Sequence, residues 1–370
     1  MVNWQDRGNP RAGGAEVHLH EIFGRLAARG HEVHLLASGW RGAPRDAVLD
    51  GIQVHRVGSR YGFAAAGRPA FRRWAARLAP DVVVEDVNKV PLNLPMVWRG
   101  PFALLVPHLF GTTAFRELPA PVAALVWAAE RPMARVYRRA WVHAISTSTR
   151  DDLVARGFAA ERVRVIYPGV DTARFTPDPA VARAAAPTFL YVGRLKRYKQ
   201  VDVAIRALAL VRRERPDARL LIAGTGEDAA RLARIAAQTG TTDAVEFLGF
   251  VSEERKTALY REAWAVVLPS LKEGWGITNL EAAGCGTPAV AADNSALRES
   301  VRDGVTGYLV ATGDAAALAA ALVRIAADES LRARLGAGAR RFAESLSWER
   351  TADETASHLE AARAAWRPGD

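Results

Sequence analysis

One cysteine, Cys285, stands among 370 residues. No intramolecular disulfide can brace the fold, and the reducing cytoplasm is the expected compartment. Cys285 falls in an Ala/Gly-rich helical stretch, where a small buried apolar group is the expected role rather than a nucleophile. No signal-peptide pattern opens the chain, and no apolar run approaches the roughly 20 residues that span a bilayer. Asp-x-Asp, the acidic pair that commonly holds a divalent ion against phosphate, is missing, so phosphate chemistry here is expected to need no metal. Gly-x-Gly-x-x-Gly is missing too: "GTG" at 224–226 lacks the third glycine, which argues against a nicotinamide cofactor. The histidines offer no metal-ligand spacing, since His18 and His20 lie two apart on a helix and His31 and His34 flank its end. No nucleic-acid-binding motif is present.

What is there suits two α/β domains. The length exceeds one ordinary core, and 49% hydrophobic with 24% charged residues is an ordinary globular mix. The net charge of +10 is uneven: residues 1–170 hold 23 Lys and Arg against 14 Asp and Glu. Such a basic half can attract anionic lipid or acidic substrates; an Arg- and Ala-rich composition habit is the plainer reading, and both stay open.

Short apolar runs alternate with helical patterns, the mark of parallel sheets covered by helices. "EVHLLAS", "DVVVED", "FALLVPH" and "WVHAIS" predict strands in the first half, with a helix over 15–30 stopped by Gly30. The Pro/Ala-rich stretch 168–187 reads as an inter-domain linker. After it, "TFLYVGR", "RLLIAGTG", "AVEFLGF" and "AWAVVLPS" begin a second doubly wound domain. Only "MVNW" precedes the loop "QDRGNPRAGG", short for a first strand of about five to six residues. Either the start lies upstream of Met1 or that strand is a stub.

Ligands of open α/β sheets bind beyond the carboxyl ends of the strands. Glu273 lies there, after "AWAVVLPS", and Gly274, Trp275, Gly276 and Ile277 lead into a helix whose free N–H groups suit an anion. A carboxylate beside an anion site should meet hydroxyls or developing positive charge, and Glu281, on the helix, suits vicinal hydroxyls such as those of a ribose. In "RLKRYK", Arg194 and Lys199 offer a fork of donors and a mobile point charge for a diphosphate, while Lys196 and Arg197 read as solvated. Gly13 and Gly14 open a helix and offer amides to a phosphate. His108 closes the strand "FALLVPH", where function concentrates. The stretch 121–141 mixes apolar and aromatic residues with Arg131, Arg135, Arg138 and Arg139. It suits an anionic membrane surface; alternatively it packs on the sheet with its arginines in water, which the interruption at Pro132 favours.

Taken together, "RGNPRAGGAE", "PHLFGTTAFRE", "YPGVDTARFTP", "YVGRLKRYK", "LIAGTGE", "LPSLKEGWGITNLEAAGCGTPAV" and "RDGVTGYLV" resemble, in order and over nearly the whole chain, the retaining glycosyltransferases of family 4. The resemblance implies the GT-B fold, two Rossmann-like domains facing a central cleft. Residues 1–170 would bind the acceptor, 187–346 the nucleotide-sugar, and the helix 347–370 would cross back to the first domain. It implies a UDP- or GDP-linked hexose donor as substrate and no separate cofactor. Glu281 would hold the ribose, and Arg194 and Lys199 the diphosphate with the Gly14 and Gly276–Ile277 backbone. Glu273 would contact the transferred sugar, with His108 near it. A hydroxyl-bearing acceptor is expected, and the basic first domain suits a lipid-linked or anionic one, with peripheral contact at the inner face of the membrane. Ala296 departs from a frequent family glycine.

Two other readings carry their own signatures. A nucleotide-sugar epimerase of similar architecture would convert a donor alone, and the Glu273–Glu281 spacing argues against it. A non-catalytic nucleotide-sugar-binding protein would keep Arg194 and Lys199 while dispensing with Glu273 and His108, yet both are present.

Overall fold

In the computed structural model, all residues are described except 88–89, 110, 112–114, 116–119, 295 and 368–370. The chain divides into two units: Met1–Pro168 with Trp348–Asp370, and Gly169–Ser347.

In the first unit the elements run α1 (Gly14–Ala28), β1 (His34–Gly39), β2 (Asp46–Leu49), β3 (Ile52–Ser59), α2 (Phe63–Leu78), β4 (Val83–Asp86), β5 (Phe102–Val106), α3 (Ala120–Glu130), α4 (Met133–Val136), β6 (Trp141–Ala144), α5 (Thr147–Ala155) and β7 (Val163–Val165). They form two sheets, β1-β3-β2 and β4-β5-β6-β7. Val2 joins them, bridging Leu36 on one side and Glu85 on the other in parallel. Its N–H donates to Val84 O and its carbonyl accepts from Asp86 N, both at 2.9 Å. In this chain the first strand is one bridge long on each flank, and it sits between β1 and β4, where a doubly wound sheet needs it.

The hairpin β2–β3 is antiparallel and was not anticipated from the sequence. Its turn is Asp50-Gly51, with φ of 54° and 77°, the left-handed pair that a tight two-residue hairpin requires.

The second unit contains β8 (Thr188–Val192), α6 (Val201–Val211), β9 (Arg219–Ala223), α7 (Ala229–Gln238), β10 (Val245–Gly249), α8 (Glu253–Glu262), β11 (Ala265–Leu268), α9 (Ile277–Gly284), β12 (Ala289–Ala292), α10 (Leu297–Ser300), β13 (Gly307–Val310), α11 (Ala315–Ala327) and α12 (Glu329–Glu344). Its sheet has the order β10-β9-β8-β11-β12-β13, and every pairing is parallel. The strand order reverses between β8 and β11. That reversal is the switch point at which such sheets bind ligands. Phe189, Ile205, Leu208, Leu220, Ile222 and Val267 are buried in the core beneath it.

The stretch 169–187 belongs to this unit rather than hanging free as a linker. Phe175 is buried, and Arg340 Nη1 donates to Phe175 O at 2.8 Å and to Gly284 O at 2.7 Å. Arg183 donates to Gly286 O at 2.7 Å and to Thr287 Oγ1 at 2.6 Å. Two arginines thus satisfy carbonyls at the end of α9 while fixing the Pro-rich segment.

The last helix, α13 (Trp348–Ala365), belongs to the first unit. Trp348 and Ala352 enter the cluster of Leu19, Ile22, Phe23 and Leu105, and Arg25 and Arg29 of α1 pair with Glu349 and Asp353.

Candidate active site

At the switch point of the second unit, β8 runs into Gly193–Lys196 and a short turn, Arg197–Lys199, before α6. β11 runs into 269–276 before α9. Backbone bonds lace these loops to their neighbours. Leu271 N donates to Tyr198 O at 2.8 Å, and Leu195 N to Thr225 O at 2.9 Å. A Cβ on Gly224 would stand 1.9 Å from Gly193 O, and one on Gly226 would stand 2.1 Å from Leu195 O. The glycines of "GTG" therefore serve close contact between the loops after β8 and β9.

Lys199 Nζ donates to Glu273 Oε1 at 2.6 Å, and Ser270 Oγ donates to the same oxygen at 2.7 Å. Burial disfavours the Lys199 ammonium, but the Glu273 charge outweighs it and holds the pKa above the usual lysine value. Ser270 is itself held, since its carbonyl accepts from Asn294 Nδ2 at 2.7 Å. Arg194 lies exposed at the same loop, with no acidic partner within ion-pair distance among the described residues. Its neighbour Lys196 pairs with Glu227, and Arg197 is exposed.

Glu281 is held separately. Lys256 Nζ donates to its Oε1 at 3.0 Å and Tyr260 Oη to its Oε2 at 2.8 Å. Burial pushes the Glu281 carboxyl above the ordinary range, and Lys256 with Tyr260 offsets part of that. Lys256 and Tyr260, one helical turn apart on α8, share the face that meets α9. Sequence reasoning missed both; their i, i+4 spacing was visible, but nothing in it pointed to a carboxylate 25 positions away.

Between the two carboxylates lies the N-terminus of α9. Gly276 caps it at φ 92°, a left-handed turn that sets the first amides of the helix free of partners within the helix. Trp275 is only 3% exposed, so what it can offer a ligand is backbone; Gly274 and Ile277 are half-buried.

The remaining candidates lie in the first unit. Gly13 caps α1, its N–H donating to Glu16 Oε2 at 2.7 Å, and Gly14 is exposed. The loop before them is anchored by Asp6, fully buried, which accepts from Arg56 Nε and Nη2 and from Gly8 N, each at 2.8 Å. His108 is half-buried, two residues beyond β5. His20 accepts from Arg7 N at 3.2 Å and meets Asp50 at 2.9 Å, while His18 packs edge-on against His143. Cys285 is buried at the end of α9, and burial raises its thiol to about 11.

The two Rossmann-like α/β units are those of the GT-B fold, which solved glycosyltransferase-type structures share. Sucrose-phosphate synthase from Thermosynechococcus elongatus aligns with a TM-score of 0.84 at 22% identity, covering 98% of this chain and 99% of that one. Anabaena HepE in complex with UDP-glucose aligns at 0.80 and 21%, covering 97% and 99%. The family models described as glycosyl transferases group 1 and glycosyltransferase family 4 match residues 177–342 and 12–174. The chain belongs to glycosyltransferase family 4. A protein described as D-inositol 3-phosphate glycosyltransferase from Streptomyces avermitilis is 32% identical over 407 aligned positions, covering 97% of this chain and 85% of that protein. Its counterpart from Salinispora arenicola is 42% identical over 212, and that match spans 51% of this chain and 47% of the relative, about half of each.

Proposed function

We propose that the protein transfers a hexose from a UDP- or GDP-sugar to an acceptor hydroxyl, with retention at the anomeric carbon and without a metal. One observation carries this reading: Glu273 and Glu281 flank the N-terminus of α9, each already bonded to a lysine, at the switch point of the second unit. The description of HepE in complex with UDP-glucose supports a uridine donor.

In this proposal the α9 amides, Arg194 and Lys199 stabilise the diphosphate as the bond from C1 to the phosphate oxygen breaks, the electrostatic contribution that usually dominates such steps. The acceptor oxygen bonds to C1 on the same face, and its proton passes to the leaving phosphate oxygen. Glu273 positions the sugar and stabilises oxocarbenium character, and Glu281 takes the ribose hydroxyls. For the first unit the proposal assigns His108 to the sugar and the Gly14 amide to the phosphates, the Gly13 N–H being already engaged by Glu16. The acceptor is proposed to be an anionic hydroxyl compound; the curated relatives' description, with its inositol phosphate, supports this.

The test is turnover of UDP- and GDP-hexoses with inositol phosphates and anionic glycolipids, with and without EDTA, reading the product's anomeric configuration by NMR. An α-linked product from an α-linked donor, insensitive to EDTA, is the expected result. An inverted product, or conversion of donor without acceptor, overturns the proposal.

A further inference from the structure

His20 on α1 is 1% exposed, and the proposed reaction makes no use of it. Both of its ring nitrogens are engaged all the same. Nδ1 lies 2.9 Å from Asp50 Oδ2, and Nε2 accepts from Arg7 N at 3.2 Å. A ring nitrogen that accepts carries no proton, so the imidazole is neutral and its one N–H is on Nδ1, donating to Asp50. An imidazolium would set a second N–H against the Arg7 N–H. Burial, assisted by Arg7 and opposed by Asp50 and Asp6, lowers the His20 pKa, in keeping with a neutral ring.

The two partners belong to different parts of the first unit. Asp50 opens the left-handed β2–β3 turn, and that turn is seated on the face of α1 shared by His20, Gly24 and Ala27. A Cβ on Gly24 would stand 3.0 Å from Asp50 O, and one on Gly51 would stand 3.2 Å from Ala27 Cβ. Arg7 lies in the run of turns that leads into α1. There Asn9 N donates to Asp6 O at 3.0 Å, Ala12 N to Asn9 O at 2.8 Å and Arg11 N to Asn9 Oδ1 at 2.9 Å. Asp6 is fixed by Arg56, so the bond to His20 is a second tie on a segment that ends at Gly14. The Arg7 guanidinium also reaches Asp50 at 3.4 Å and Glu21 at 3.8 Å, but its side chain is 40% exposed. Solvent weakens those pairs, and the buried ring is the stronger tie.

We infer that His20 is a positioning residue: its Nδ1–H tautomer, selected by Asp50, holds the segment 6–13 and thereby places the Gly14 amide. This rests on the proposed function, which gives that amide to the donor phosphates. His20 itself touches no substrate; it acts through the backbone of Arg7.

The experiment is hydrogen–deuterium exchange of the full chain, with and without UDP, for wild type, His20→Phe, His20→Gln and Asp50→Asn. Phenylalanine keeps most of the ring's bulk but has no nitrogen. Glutamine offers an oxygen to Arg7 N and an N–H to Asp50. Asparagine tolerates the left-handed turn, and its amide can face either tautomer of His20. In His20→Phe, amides 7–14 are expected to exchange several-fold to about tenfold faster, as for one lost hydrogen bond, and UDP no longer protects them. UDP still protects 271–278 in that variant, with Kd within a few-fold of wild type. His20→Gln restores both properties, and Asp50→Asn falls between. Should His20→Phe not fold, Asp50→Asn carries the comparison, since that side chain is 42% exposed. Equal exchange over 7–14 in wild type and the variants overturns the inference. So does failure of His20→Gln to rescue, which would reduce the role to ring packing. Protection of 271–278 but not 7–14 by UDP in wild type removes the Gly14 assignment and the inference with it. Protection of neither refutes the donor-site reading itself.

Discussion

Burial raises the Glu281 carboxyl above its ordinary range, and Lys256 and Tyr260, donating to its two oxygens, offset part of that. Removing the carboxylate strands two donors in a closed setting, a loss of about 1–3 kcal/mol, so Glu281→Ala should lower Tm by several degrees before any ligand is added. Glu273 differs: it is less deeply buried and meets Lys199 and Ser270 at one oxygen. Glu273→Gln keeps the shape but removes the charge opposite Lys199. In the proposed mechanism kcat should fall by about 10²–10³, while Kd for the nucleoside diphosphate stays within a few-fold. A fall in affinity with unchanged kcat would show that Glu273 serves binding and not the reacting sugar.

At the scale of elements, the loops after β8 and β9 meet so closely that Gly226 has room for hydrogen only, with Leu195 O at 2.1 Å from where a Cβ would lie. Gly226→Ala must push the backbone bonds of Leu195 apart, and thermal melting should show a loss of several degrees. Docking of α13 presents the opposite case. Its ion pairs with α1 leave Glu349 and Asp353 about two-thirds exposed, so Asp353→Ala should cost at most about 1 kcal/mol. Trp348, 3% exposed within an apolar cluster, should cost roughly 3–5 kcal/mol when cut to alanine. Comparable losses for the two variants in chemical denaturation would contradict this ranking.

The same elements indicate what the sequence could reveal. Strands β4, β5, β6, β8 and β11 follow from apolar runs at regular intervals, because period and burial are local properties. The β2–β3 hairpin was also local, in its Asp50-Gly51 turn, but β2 is only four residues long and both strands are partly exposed, which leaves a weak pattern. Glu273 was legible from its place after a buried strand. Its bond to Lys199, and the grip of Lys256 and Tyr260 on Glu281, depend on which loops the strand order brings together, and no spacing along the chain encodes that.

At the scale of the molecule, three histidines of the first unit are buried uncharged. Burial lowers His18 to about 3 and His358 to about 4, and carries His143 well below the ordinary value. Each folded pKa lies below the unfolded one of about 6.5. The unfolded chain therefore binds more protons between about pH 6.5 and 4, and stability is full above that window and falls as pH drops through it. Glu85 and Glu281, raised by burial, act oppositely: their contribution falls as pH rises above the ordinary carboxylate value. His18→Leu isolates the histidine contribution: the decline of Tm from pH 7 to 5 should be shallower than in wild type, and an identical slope would mean that His18 is protonated in the folded protein.

The central claim is that the second unit holds a nucleoside diphosphate against Glu281 and the N-terminus of α9. Its most direct test is the melting temperature with UDP, GDP and ADP in turn, with and without EDTA, for wild type and Glu281→Ala. At 100 times Kd a ligand adds roughly 2.7 kcal/mol, a shift of several degrees at this size. The account predicts that UDP or GDP raises the Tm of wild type regardless of EDTA and leaves Glu281→Ala unmoved. Equal stabilisation of both proteins, or none of wild type by any of the three, would contradict it.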